Sequence, residues 1–106
     1  MSYRLSRAAR EDLVAISDFV SRESGIVAAD RLIDRIFAAF ERIAEAPGIG
    51  RERPEFTAKS VRVWQSFDYL IIYSRGEAFV SVLRIWHGAR APWRLEDAIR
   101  EAQEDG

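Results

Sequence analysis

The chain has no cysteine and only one histidine among its 106 residues. The lack of cysteine excludes disulfides, thiolate metal ligands and a thiol nucleophile. With a single histidine as well, a zinc site is not expected, and no cofactor is indicated. No apolar run approaches the roughly 20 residues that a helix needs to cross a bilayer. We therefore expect one domain over residues 1–106 that lies in the cytoplasm and not in a membrane.

Charge is unevenly distributed along the chain, although the net charge is only −1. Residues 47–94 carry 8 basic and 4 acidic side chains, whereas residues 95–106 carry 1 basic and 5 acidic ones. The basic region favours an acidic or anionic partner, but the chain lacks the overall basicity of a dedicated nucleic-acid-binding domain. The acidic C-terminal residues raise the further hypothesis that they fold back over the basic region.

Two amphipathic helices are predicted in the first half of the chain. Ser6 can cap the first helix, and Gly25 can end it. Apolar residues then recur at helical spacing in both segments: Ala9, Leu13, Ile16 and Val20 in the first, and Ala29, Ile33, Ile36, Phe40 and Ile43 in the second. Such stripes predict that the two helices pack against each other and against a core. Pro47 stops the second helix.

The second half of the chain reads mainly as β-structure. Strands are predicted at residues 61–65, 69–73 and 79–86, with a short one at 3–5, a loop at 47–60 and a short acidic helix at 95–103. Three strands of this apolarity need a cover, which the helices provide. The fold class is therefore α+β, a two-layer β-α-α-β-β-β arrangement with an antiparallel sheet packed on an N-terminal helical hairpin.

Two arginine–tryptophan pairs follow from the alternation of side chains along a strand. Arg62 and Trp64 share one face of their strand, and Arg84 and Trp86 share one face of theirs, with Val82 beside them and Leu83 and Ile85 in the core. If the two faces coincide, the open side of the sheet is a cationic aromatic surface suited to gripping another macromolecule. The alternative is that both tryptophans complete the core while the arginines reach outward.

Further candidate residues lie at the ends of the strands. Arg51 and Arg53 belong to the 47–60 loop, and His87 and Arg90 follow the last strand. A histidine can transfer protons near neutral pH, and an arginine can hold a carboxylate or a phosphate. No nucleophile or orienting carboxylate stands next to His87 in the sequence, so a structural histidine is the alternative. This favours a binding protein over an enzyme.

Several segments together resemble toxins of the RelE/ParE superfamily from bacterial toxin–antitoxin modules, on the ParE-like, plasmid stabilisation side. The resemblance covers residues 3 to about 95 and rests on YRLS with AAREDLVAISDFV, on AADRLIDRIFAAFERIAEAPGIGRERPEF, on VRVW with DYLIIYSR, and on LRIWHGAR. It implies the β-α-α-β-β-β fold and a cognate ParD-like antitoxin. The antitoxin would bind the toxin through a segment that folds on binding, in a hetero-oligomer.

The superfamily implies two alternative targets. RelE-like members cut messenger RNA on the ribosome, and for that activity Arg62, His87 and Arg90 would be the catalytic candidates. ParE-like members inhibit DNA gyrase, and the candidates for target binding are then Arg51, Arg53, Arg62, Trp64, Arg84, Trp86 and Arg90. The tyrosine that nucleases keep after the arginine is missing here, and Ala91 stands where many relatives have aspartate. The missing tyrosine and the near-neutral net charge favour the gyrase-inhibiting toxin, with a nuclease or a non-toxic autoregulatory component as alternatives, whereas the alanine at position 91 bears on how far a role of Arg90 transfers.

Overall fold

The structure is a computed structural model that describes residues 1–53, 61–88 and 95–105. Its elements, in chain order, are β1 (Ser2–Leu5), α1 (Arg7–Ser24), α2 (Ile26–Glu45), β2 (Arg51–Glu52), β3 (Arg62–Ser66), β4 (Tyr69–Arg75), β5 (Phe79–His87) and α3 (Leu95–Asp105). The predicted α+β class and the N-terminal helical hairpin are confirmed. No helix within these ranges is long and apolar enough to span a bilayer.

Residues at the ends of α1 and α2 determine where the helical hairpin begins and where it turns. The Ser6 hydroxyl accepts a hydrogen bond from the Ala9 amide at 3.0 Å, which is the predicted N-cap, and it donates to the Leu83 carbonyl at 2.8 Å. One cap thereby fixes both the start of α1 and its position on β5. Gly25, with φ of 92°, ends α1 and begins α2. That backbone conformation is open to glycine and strained for other residues.

The five strands form one sheet in the order β1-β5-β4-β3-β2. All neighbouring strands are antiparallel except β1 and β5, which run parallel, so the prediction of a purely antiparallel sheet is wrong at this edge. The reason is the two-residue strand β2, which lies inside the predicted loop. It runs antiparallel to β3 and reverses the chain once more before the β3-β4-β5 meander begins. The sequence does not reveal a strand of two residues, because alternation needs about four.

Apolar side chains form two clusters, one on each face of the sheet. The larger lies under α1 and α2 and includes Ile36, Phe40, Ile71, Tyr73 and Val82. The smaller lies on the opposite face, and α3 closes it. Its buried members are Val61, Val63, Ile72, Leu83, Trp86, Ala98, Ile99 and Ala102. The predicted acidic helix therefore forms, and it adds a third layer over part of the sheet.

Candidate functional site

The strand register separates the two predicted arginine–tryptophan pairs. Arg62 pairs with Tyr73, and Trp64 pairs with Ile71, whose side chains belong to the cluster under α1 and α2. In contrast, Arg84 pairs with Ile72, which belongs to the cluster under α3. Since side chains of paired residues lie on the same face, the pairs occupy opposite faces. The hypothesis of one open cationic aromatic surface that includes both pairs is wrong.

Arg84 is committed to an ion pair with helix α1. Its Nε and Nη2 donate to the two carboxylate oxygens of Asp12, each at 2.7 Å, and Asp12 also accepts from the Ile85 amide at 3.0 Å. Both side chains are nearly buried, at 13% and 9% exposure. The hydrogen bonds to Asp12 raise the pKa of Arg84, although burial acts in the opposite direction. Arg84 therefore fastens α1 to β5.

Trp86 lies beside this ion pair and belongs to the core. Only 2% of it is exposed, and it packs in the cluster that α3 closes. The Arg84 guanidinium carbon is 5.5 Å from the centre of its ring. The packing therefore supports the alternative interpretation for Trp86, in which the tryptophan completes the core. Trp86 is covered by α3 and Arg84 is held by Asp12, so neither residue of this pair presents an open surface.

Arg62 and Tyr73 hold the segment between α2 and β2 against the sheet. The Tyr73 hydroxyl donates to the Pro47 carbonyl at 2.7 Å and accepts from the Gly50 amide at 2.9 Å. Arg62 donates to the Gly50 carbonyl at 2.7 Å and contacts the Glu52 carboxylate at 3.3 Å. These bonds satisfy backbone groups that lie outside helix and sheet ladders. As a result, the direction in which β2 leaves the turn is fixed.

The buried tyrosines make the fold sensitive to alkaline pH. Burial raises the pKa of Tyr73 above its ordinary value of 10.0, and the Gly50 amide and Arg62 partly oppose this. An unfolded chain therefore releases the phenolic proton before the folded chain does. The stabilisation is fully present below about pH 10 and is lost as the pH rises through the higher pKa of the folded chain. Burial raises the pKa of Tyr3 and Tyr69 in the same direction.

We expect Tyr73→Phe to weaken this alkaline dependence. Urea unfolding at a series of pH values from 8 upward measures it. Between pH 8 and pH 10 the variant is expected to be less stable by about 1–3 kcal/mol, because the Pro47 carbonyl and the Gly50 amide lose their partner. Above pH 10 the difference between the two proteins is expected to shrink. A constant difference across the whole series would contradict the assignment.

The remaining candidates near β2 differ in exposure. Arg51 is exposed on β2, at the edge of the sheet, whereas Arg53 is half-buried and its amide donates to the Val61 carbonyl at 3.0 Å. Arg90 lies outside the described residues. His87 is exposed at the end of β5, and its ring meets the Tyr69 ring edge-on at 5.1 Å between centres.

Of the nuclease candidates, Arg62 and His87 lie within the described residues, and they are far apart on the sheet. Tyr69 of β4 pairs with His87, and Tyr73 of the same strand pairs with Arg62. Four residues along a strand correspond to roughly 13 Å. Arg62 and His87 therefore lie too far apart along the sheet to act on one phosphate, before the width of the intervening strand is counted.

A groove between α2 and β3 brings basic and aromatic side chains together. We call it the α2–β3 groove. It has a volume of about 540 Å³ and is lined by Arg35, Ala38, Ala39, Glu41, Arg42, Glu45, Trp64, Gln65, Ser66 and Phe67. The Arg35 guanidinium lies 4.0 Å from the centre of the Phe67 ring, a cation–π contact. Of the predicted residues that the structure describes, only Trp64 lines this groove.

Sequence reasoning missed Arg35, Arg42 and Phe67 as site residues. Arg35, Ala38 and Arg42 share one face of α2, where small alanines between long arginines leave space at the sheet, and this spacing is the signal that was available. Phe67 occupies the β3–β4 turn with φ of 44°, a left-handed conformation that is unusual for a bulky residue. Its side chain lines the groove, which the prediction of a turn at this position does not reveal.

Comparison with known proteins agrees with this architecture. The family described as "ParE toxin of type II toxin-antitoxin system, parDE" matches residues 3–92. The fold is similar to the solved structure "Chromosomal ParDE TA system from P. aeruginosa", with 22% sequence identity, a TM-score of 0.70, and coverage of 82% of this chain and 95% of that chain. No curated protein sequence matches. Because the family match spans most of its length, the chain belongs to the ParE toxin family of type II toxin–antitoxin systems.

Proposed function

We propose that this ParE-family toxin inhibits DNA gyrase in the bacterial cytoplasm and is neutralised by a cognate ParD-like antitoxin. The observation that carries the proposal is the family match over residues 3–92. The missing tyrosine after Arg90 supports gyrase over the ribosome as the target. The distance between Arg62 and His87 along the sheet supports it too, since a phosphate-cleaving site needs its groups within hydrogen-bond reach of one substrate.

The target-binding surface that we propose combines the α2–β3 groove with the β2 edge. Arg35, Arg42 and Trp64 supply the residue types that most often dominate binding energy at protein interfaces. Exposed Arg51 adds one more arginine at the edge strand. Arg62 acts on this surface indirectly, because its hydrogen bond to the Gly50 carbonyl holds the turn that leads into β2.

The antitoxin would bind mainly the helical hairpin, next to the sheet edge. Five large apolar side chains of the hairpin are exposed: Val14, Phe19, Ile26, Val27 and Phe37. An antitoxin segment that folds on binding could cover several of them. Removing these side chains from water would stabilise the complex through the hydrophobic effect. Toxin and antitoxin would then form a hetero-oligomer, in which the hairpin is the main contact of the toxin.

Supercoiling of relaxed plasmid by purified gyrase tests the target directly. We expect the chain to inhibit supercoiling at micromolar concentration. Arg35→Ala is expected to need about tenfold more protein for the same inhibition, the effect of losing roughly 1.4 kcal/mol of binding energy. The control is Arg31→Ala, which removes an exposed arginine of the same helix from outside the groove lining and should stay within about twofold.

Two results would contradict the proposal in different ways. A lack of inhibition by the unaltered chain would remove gyrase as the target. Translation-dependent cleavage of a message in a cell-free extract, lost in His87→Ala, would replace it with the ribosomal activity. Equal inhibition by Arg35→Ala and the unaltered chain would leave gyrase as the target but would remove the α2–β3 groove as the surface that binds it.

A further inference from the structure

Helix α3 lies outside the part of the chain that the toxin family shares. The family match ends at residue 92, whereas α3 spans Leu95–Asp105. The helix nevertheless packs on the sheet, on the face opposite the helical hairpin. It buries Ala98, Ile99 and Ala102 against a cluster that contains Ile72, Leu83 and Trp86. An element added to the family's shared part therefore covers a face of the sheet.

The covered face has a defined chemical character. Its centre is apolar, with Val63, Ile72, Leu83 and Trp86 all buried beneath or beside α3. Arg84 lies on the same face, and Glu101 of α3 adds to the negative charge around it after the dominant contribution of Asp12. The face thus fits an amphipathic helix that has small apolar residues on one side and acidic residues at its flank. Helix α3 has this pattern itself.

The attachment of α3 is slight compared with that of helix α2. Among the α3 side chains that the structure describes, Ile99 is the only large apolar one that is buried. In α2, by comparison, Ile36, Phe40 and Ile43 are all fully buried. A helix of eleven residues is marginal in water on its own, so α3 depends on this small contact for its helical state. Elements with few buried apolar contacts open locally at lower cost than the global core.

We propose that α3 is a detachable cover that opens while the hairpin and sheet stay folded, and that the exposed face then binds an acidic amphipathic helix of a partner. The covered face is filled by the chain's own helix at high effective concentration, so a partner must compete with it. The inference is independent of gyrase as the target, because it concerns a different face from the α2–β3 groove. It explains how Trp86 can be part of a binding surface although it is buried while α3 is in place, whereas Arg84 keeps its ion pair with Asp12.

Hydrogen exchange of the unaltered chain tests the opening. We expect amides in the 97–103 part of α3 to exchange at least about a hundredfold faster than those of Phe40 and Ile43 in α2. Low concentrations of denaturant should leave the α3 rates nearly unchanged, since a local opening exposes little surface. Equal protection of α3 and α2, with the same dependence on denaturant, would overturn the proposal.

A variant that releases α3 tests the face beneath it. Ala102→Asp introduces a charge at a fully buried position, and Gln103→Asp makes the same change of charge at the next position, which is half-buried. Trp64→Phe and Trp93→Phe in both variants leave Trp86 as the reporter, because the chain has three tryptophans. We expect Ala102→Asp to shift the emission of Trp86 to the red and to make Trp86 accessible to quenching by acrylamide. The amides of α2 should stay protected against hydrogen exchange. Gln103→Asp should change neither the emission nor the quenching of Trp86.

A synthetic peptide of residues 95–106 then tests whether this face binds an acidic amphipathic helix that is not part of the same chain. Added to the full-length Ala102→Asp variant, the peptide is expected to reverse the red shift of Trp86 in a saturable way. A peptide that carries Ala102→Asp itself should have no effect. Failure of the unaltered peptide to bind at millimolar concentration would overturn the assignment of this face as a helix-binding surface. Global unfolding of the Ala102→Asp variant would also contradict the proposal, because α3 would then be an inseparable part of the core.

Discussion

Asp12→Ala is expected to lower the free energy of unfolding by about 3–5 kcal/mol, the usual cost of removing one partner from a buried ion pair. The Arg84 guanidinium would keep its charge at low exposure and lose two 2.7 Å hydrogen bonds. The Ile85 amide would lose its acceptor as well. Since folded domains are stable by only 5–15 kcal/mol, this loss is large enough to leave part of the chain unfolded at 37 °C. Urea unfolding followed by circular dichroism measures it.

Two further variants separate the buried ion pair from general effects on α1. Glu11→Ala removes the neighbouring exposed ion pair with Arg7, and its expected cost is below about 1 kcal/mol. Asp12→Leu combined with Arg84→Met removes both charges, so much of the lost stability should return. The Ile85 amide would still lack an acceptor, which leaves a residual cost of about 1–3 kcal/mol. A loss below 1 kcal/mol for Asp12→Ala would contradict the role of Asp12 as the fastening of α1 to β5.

Gly50→Ala is expected to destabilise the chain by about 1–3 kcal/mol, the usual cost of overpacking. A methyl group at this position would lie 2.6 Å from the Tyr73 hydroxyl oxygen and 2.8 Å from a ring carbon. The Tyr73 side chain is fully buried and cannot move aside without losing its bond to the Pro47 carbonyl. We therefore expect the turn that leads into β2 to shift, and thermal unfolding measures the loss of stability.

Gly48→Ala is the matched control for this effect. It lies two residues earlier in the same turn, and a methyl group there meets no atom within 4 Å. Its melting temperature is expected to stay at or slightly above that of the unaltered chain, because alanine restricts the unfolded state more than glycine does. Equal destabilisation by the two substitutions would show that backbone conformation, and not the close approach of Tyr73, makes glycine necessary at position 50.

The helical part of the fold could be predicted because its signals are local. The Ser6 cap, the stripe from Ala29 to Ile43 and the break at Gly25 each depend on residues within a few positions of one another. The two edges of the sheet could not be predicted in the same way. Strand β2 has only two residues, and the parallel pairing of β1 with β5 depends on how the chain reverses after α2. Such long-range reversals leave no periodic pattern.

The faces of the sheet were mispredicted for a related reason. Alternation gives the two sides of each strand, but it does not say which sides of two strands coincide. In β5 the alternation of side chains is also interrupted within the strand, because Leu83 is an extra residue between the partners of Ile72 and Tyr73. Because of this bulge, Val82 lies on the same face as Ile85, under α1 and α2, and Leu83 lies on the same face as Trp86, under α3. The predicted faces of Val82 and Leu83 are therefore reversed.

Growth after induced expression in a bacterial host tests the central claim, that this chain acts as a toxin. We expect induction of the chain alone to arrest growth within a few generations. Co-expression of a cognate antitoxin is expected to restore growth. Arg35→Ala should need stronger induction for the same arrest, whereas Arg31→Ala should not. Unimpaired growth of cells that accumulate the folded, unaltered chain would contradict the claim and would leave antitoxin binding and autoregulation as its role.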